Sequence, residues 1–166
     1  MACWIIINFC FYGQLVIEAF HLTTKSSALD LSKYFFTVAG ELPSLMVSFY
    51  LIEHPSFGRK RSLILFFLGA AISHLLFAAS TLVFLGSLAR FFMKDVFQIL
   101  YPLTTESFDT RTRTKGFGVC SGGGRIGAIV MPFVIMPMDR WLRGSVYVLF
   151  SVLSLAAAAV GHFFVQ

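Results

Sequence analysis

Gly122, Gly124 and Gly127 spell G-x-G-x-x-G, the spacing with which a backbone loop approaches a dinucleotide pyrophosphate. The basic run RTRTK at 111–115 would add charge for the phosphates. That chemistry needs a strand before the glycines, a soluble βαβ unit around them and an acidic residue ~20 positions on. Residues 111–121 make no convincing strand, the sequence AIVMPFVIMPM that follows is apolar at membrane length, and Asp139 comes too early. Helix packing is the better use of these residues. Gly118 with Gly122, and Gly123 with Gly127, are small-xxx-small pairs that let a neighbouring helix come close. The run Gly122, Gly123, Gly124 weakens a helix by ~1 kcal/mol per glycine relative to Ala, and Pro132 and Pro137 loosen its outer half. The stretch reads as a hinge and contact face, with Arg125 as its functional side chain.

A second set of candidates is Arg90, Lys94, Asp95 and Gln98, inside an otherwise apolar segment. Ionisable groups at bilayer depth are costly and mark function by default. Arg90 and Lys94 are four apart and share a helix face. Asp95 points about 100° away, so its partner is expected on another helix. The set is either a polar cavity for substrate or a coupling ion, or an interhelical ion pair that only holds a bundle. Spacing leaves both open. Glu41 lies beside Pro43, which cannot donate to the carbonyl of Ala39, so that turn opens. This makes a gate or coordination site, or, as the plainer expectation, a passive kink with Glu41 near the surface. Glu18 is expected at an interface and His74 as a packed residue.

These residues need apolar helices to position them. Hydrophobic residues make up 57% of the 166 and charged ones 13%, against roughly 25% charged in a soluble domain. Six stretches reach the ~20 residues that cross a bilayer: 3–20, 34–52, 63–80, 82–103, 116–138 and 145–165. The fold class is therefore all-α and polytopic, with no soluble domain. The apolar start lacks the positive flank of a cleavable signal. Loops after the second and fourth spans hold Arg59, Lys60, Arg61, Arg111, Arg113 and Lys115, while the other side holds Lys25, Lys33, Arg140 and Arg143. The clustered side is expected in the cytoplasm, with both termini. In that setting GRKRS is a positive-inside loop, and no nucleic-acid partner is expected. His21, His54, His74 and His162 have no metal-ligand spacing, and neither G-x-S-x-G nor HExxH occurs. No enzyme, cofactor or metal is expected. Cys3, Cys10 and Cys120 read as reduced, apolar-facing thiols.

FGRKRS at 57–62, between two spans, resembles the G-R-[KR]-[KR] loop of the major facilitator superfamily. The stretch from Leu100 through Val134 resembles the end of span 10 and the whole of span 11 in its organic-ion and synaptic-vesicle-glycoprotein-like branch. Glu106, Thr110, Arg113, Gly116, Gly118, Arg125 and Gly127 match that pattern. NFCFYG at 8–13, which includes Tyr12, resembles the branch's span 7, and GELPSLMVSFYLIE at 40–53 its span 8. Thr105 and Asp109 stand where the family has Pro, and Lys94 and Asp95 where the branch prefers small residues.

The resemblance implies the C-terminal six-helix half of a twelve-helix secondary carrier that works by alternating access. It implies a cytoplasmic charge latch of Arg59, Glu106 and Arg113, to which Arg125 is added. The candidate cavity read from the charges inside the spans comprises Tyr12, Glu41, Arg90, Lys94, Asp95 and Gln98. Expected partners are the lipid bilayer, the N-terminal half and a small organic solute, anionic from the excess of Arg90, Lys94 and Arg125. Six spans alone are expected to be inactive, as a fragment or a truncated product. The second reading is a non-transporting receptor-like or assembly protein on a carrier fold.

Overall fold

The computed structural model describes residues 1–24, 28–54, 58–80, 82–141 and 144–164. They form seven helical segments: α1 (Ala2–Thr24), α2 (Ala28–Ala39), α3 (Leu42–Glu53), α4 (Gly58–Ser80), α5 (Val83–Glu106), α6 (Arg113–Trp141) and α7 (Ser145–Phe164). No strand occurs among the described residues. Apolar side chains all round these helices leave no polar face for water, so the bundle buries one side and turns the other to lipid. Five stretches are long and apolar enough to cross a membrane: Ala2–Phe20, Phe35–Glu53, Gly58–Ser80, Arg113–Asp139 and Ser145–Phe163. The chain is an integral, multi-pass membrane protein. α5 is absent from those five and carries Arg90, Lys94 and Asp95. At 24 residues it is about 36 Å long, enough to span.

The stretch expected as one helix over 34–52 is two. The break falls at Gly40 and Glu41. Pro43 occupies the first turn of α3, where a missing N–H costs nothing, but α2 cannot continue through it. The junction tightens instead: the Glu41 N–H donates to the Val38 carbonyl at 2.9 Å, and the Ser44 hydroxyl donates to the Glu41 carbonyl at 2.8 Å.

α4 packs mainly on α7 and α5, and α1 on α6. Phe66, Phe67, Ile99, Ile135 and Phe150 are among the fully buried side chains between them. Trp4 fixes one end of the core. Its ring meets Tyr101 and Phe117 edge-on at 5.0 and 5.8 Å, and its indole N–H donates to Thr104 at 2.9 Å. His74 is packed as expected, fully buried and 5.5 Å from the Phe150 ring.

α6 runs unbroken through all the glycines from Gly116 to Gly127. No strand precedes them, so the phosphate-loop geometry does not exist. The glycines divide by helix phase. Gly124 approaches the Trp4 carbonyl, Gly127 approaches the Ile5 carbonyl and the Phe9 N–H, and Gly123 meets the Met1 side chain. Gly118 and Gly122, expected to pack as a pair, face open space.

This division generates a prediction. Gly127→Ala would drive a methyl group into the backbone of α1, which cannot yield as a side chain can. It should destabilise the protein by roughly 1–3 kcal/mol. Gly118→Ala meets nothing and should stabilise it by up to ~1 kcal/mol through helix propensity. Thermal unfolding in detergent ranks the two; equal effects would mean that α1 does not sit against this face.

Candidate functional site

Three separate elements converge on one guanidinium. Arg90 lies eight residues into α5, where the repeat of the helix turns it away from lipid, and it is 3% exposed. Its Nη1 donates to Glu18 of α1 at 2.7 Å. Its Nε donates to Glu41 at 2.8 Å, and its Nη2 reaches the same Glu41 oxygen. Lys94, one turn on, lies 3.8 Å from the other Glu41 oxygen. Both cations also lie over the Phe11 ring, at 5.9 and 5.8 Å, so the shared face inferred from their spacing is occupied as a unit. Two carboxylates answer two cations, and the cluster is neutral.

Each contact follows from local structure. The open turn at Gly40 and Glu41 frees Glu41 from a regular helix surface and lets it reach α5. That turn is also drawn in close: a methyl group on Gly40 would meet Ser87 at 3.0 Å. Gln14, one turn before Glu18 on α1, donates to the Gly86 carbonyl at 3.2 Å and locks the register of α1 on α5.

One expectation is corrected here: Glu41 is not a surface residue on a passive kink. Glu18, expected at an interface, is packed beside it. Each side chain is 16% exposed and bound to Arg90. A residue near a span end, as Glu18 is, can still be covered by neighbouring helices. The available signal was the i, i+4 pair Gln14 and Glu18 on α1, matching the i, i+4 pair on α5.

The structure separates the other candidates. Asp95 is fully buried and turned toward α3, where Ser48 approaches it. A charged partner was one expectation for it, and it has none: both oxygens lack a hydrogen-bond partner among the described residues. Gln98 is half-buried and Tyr12 exposed. Tyr12 touches the Phe11 ring at 5.7 Å, beside the cations.

At the C-terminal end of α5, Arg59 forms an ion pair with Glu106. The two pairing centres, Arg90 and Glu106, are about 24 Å apart along the helix. Arg113 and Arg125 are exposed and make no ion pair among the described residues. Residues 55–57 of the basic loop lie outside the described residues.

The buried network yields a measurable expectation. Arg90→Ala strands two carboxylates and should cost about 3–5 kcal/mol, the scale for breaking a buried ion pair. Arg90→Lys keeps the charge but cannot fork between Glu18 and Glu41, and should fall between the two. Unfolding in lipid nanodiscs reads both. An alanine variant as stable as the parent would mean that the network holds nothing together.

No protein-family model matches the chain. Individual relatives do. It is 33% identical to synaptic vesicle 2-related protein of Rattus norvegicus over 135 residues, 79% of this chain and 23% of that protein. It is 36% identical to the putative transporter svop-1 of Caenorhabditis elegans over 118 residues, 67% of this chain and 21% of that protein. It is 27% identical to organic cation/carnitine transporter 2 of Rattus norvegicus over 139 residues, 78% of this chain and 24% of that protein. Two of the three are named as transporters and none as an enzyme. The chain spans about a quarter of the length of these relatives. With an all-helical bundle of membrane-length apolar segments and these relatives, the chain belongs to the major facilitator superfamily.

Proposed function

We propose that this chain is the C-terminal six-helix half of a secondary carrier and moves a small organic solute by alternating access. The observation that carries this reading is the pair of separate ion networks on α5, one in its first half around Arg90 and one at its C-terminal end. A carrier that rocks about a midplane site needs contacts that hold one state and yield in the other. Arg59 and Glu106 suit the yielding side. Their side chains are 35% and 51% exposed, so water competes for both, and such pairs are worth little net free energy. Arg90, with Glu18 and Glu41, is better shielded from water and holds α1, the α2–α3 turn and α5 together.

The cavity side comprises Tyr12, Glu41, Lys94, Asp95 and Gln98 beside Arg90. Lys94 is its least committed charge, 35% exposed and held only at 3.8 Å; with Arg125 it favours a solute of anionic character. The basic loop with Arg59 lies on the cytoplasmic side, as do both termini, and Arg113 joins the latch when the opposing half is present. The N-terminal six-helix half is the partner. Only 17% of the Phe35–Glu53 stretch and 22% of Arg113–Asp139 are buried, against 39–44% in the other three. These two surfaces, which include Gly118 and Gly122, suit docking of that half. Alone, the chain presents an open half-cavity and is inactive.

A reading as a non-transporting membrane protein draws on Lys94 and Asp95, which replace the small residues of the branch. Uptake by the full-length protein in proteoliposomes, across a panel of organic anions and cations, separates the two. The carrier reading expects accumulation of at least one solute, reduced by Glu106→Gln and restored by the exchanged pair Arg59→Glu with Glu106→Arg. No uptake in any ion gradient would overturn the carrier; full uptake by Glu106→Gln would overturn the latch.

A further inference from the structure

One ionisable side chain on α5 is left out of both networks. Asp95 is fully buried near the middle of the helix. Neither carboxylate oxygen has a hydrogen-bond partner among the described residues. Ser48 on α3 is the polar group that approaches it, and the Ser48 hydroxyl donates to the Ser44 carbonyl at 2.9 Å.

Among the described side chains packed around α5, none is left over as a counter-ion. Glu18 of α1 and Glu41 of the α2–α3 turn already match Arg90 and Lys94, two against two. The described side chains of α2 are uncharged. On α3 the acidic Glu53 is exposed at the far end, beside His54. On α4, Phe66 and Gly69 meet Phe92, one turn before Asp95. His74 on the same helix lies against Tyr147 and Phe150 of α7. Arg59 is taken by Glu106. On α6, Arg113, Lys115 and Arg125 are exposed.

A bare carboxylate fully buried there, with no cation beside it among the described side chains, cannot carry its charge cheaply, and burying an unpaired charge costs far more than binding a proton does. We propose that Asp95 is a proton-binding site. It holds a proton while α3 and α5 are packed as here, and gives it up when they part. The only bond broken is the carboxyl O–H, and the proton passes to water entering the gap. The carboxylate left behind forms one residue from Lys94, the cation that Glu41 holds most loosely. This rests on the carrier reading for the parting of α3 from α5, and it specifies that reading: the coupling ion is the proton and the driving gradient is one of pH.

Infrared spectroscopy of the full-length protein in lipid at neutral pH tests the site without needing a solute. The wild type should show a protonated-carboxyl C=O band that Asp95→Asn removes and Asp95→Glu shifts. A wild-type spectrum without that band, or a band untouched by either substitution, overturns the proposal. Should Asp95→Asn fail to fold, the wild-type band and the Asp95→Glu shift decide between them. In proteoliposomes, solute uptake driven by a pH gradient should be lost in Asp95→Asn; wild-type uptake indifferent to the gradient overturns the coupling. If the wild type moves no solute at all, the carrier reading fails while the infrared band still decides the site.

Discussion

A guanidinium taken out of water has to be answered by charge. Arg90 meets that requirement with two carboxylates that arrive from different places, Glu18 on α1 and Glu41 at the α2–α3 junction. The positions of all three elements follow from it. α1 must present Glu18 at the height of Arg90, and its Gln14 contact with Gly86 fixes that height. The second span must break where it does, because a regular helix through Gly40 and Glu41 would not bring Glu41 across to α5. Two carboxylates on one cation would leave an excess negative charge, and Lys94 removes it. In hydrocarbon these attractions are screened little, so the cluster is stiff where the half-wet Arg59–Glu106 pair is compliant.

The fold class was legible because hydropathy over ~20 residues is the strongest signal a membrane chain emits. The break in the second span was legible in part. Pro43 announces an open turn, but whether the chain kinks or divides depends on how the groups around it are satisfied, and here the Glu41 N–H turns to the Val38 carbonyl and the Ser44 hydroxyl to the Glu41 carbonyl. Among the charged residues, the helical repeat correctly put Arg90 and Lys94 on one face and Asp95 on another. It gave no depth. Whether Glu18 meets water or α5 is decided by the tilt of a neighbouring helix, which no local pattern encodes. The same limit applies to Asp95: its direction was inferable, the lack of a partner among the described side chains was not.

The glycines make the same point from packing. Five of them in ten residues look interchangeable along the chain, and a spacing rule pairs them in several ways. Only the phase of α6 against α1 selects Gly123, Gly124 and Gly127 for close approach and leaves Gly118 and Gly122 outward. The motif that resembles a phosphate cradle is thus one edge of a helix crossing, in which the missing side chains make room for another backbone.

The charges of α5 have a consequence for how the protein is made. An Arg, Lys or Asp at the centre of a helix costs about 2.5–3.5 kcal/mol on an insertion scale, and α5 brings all three. Such a segment is a poor substrate for one-at-a-time partitioning into lipid. Its carboxylate partners, however, are synthesised first: Glu18 and Glu41 precede Arg90 in the chain. α5 can therefore leave the translocation machinery against helices that already carry its counter-charges. The order of the segments along the polypeptide, and not their hydrophobicity alone, is what makes this helix insertable.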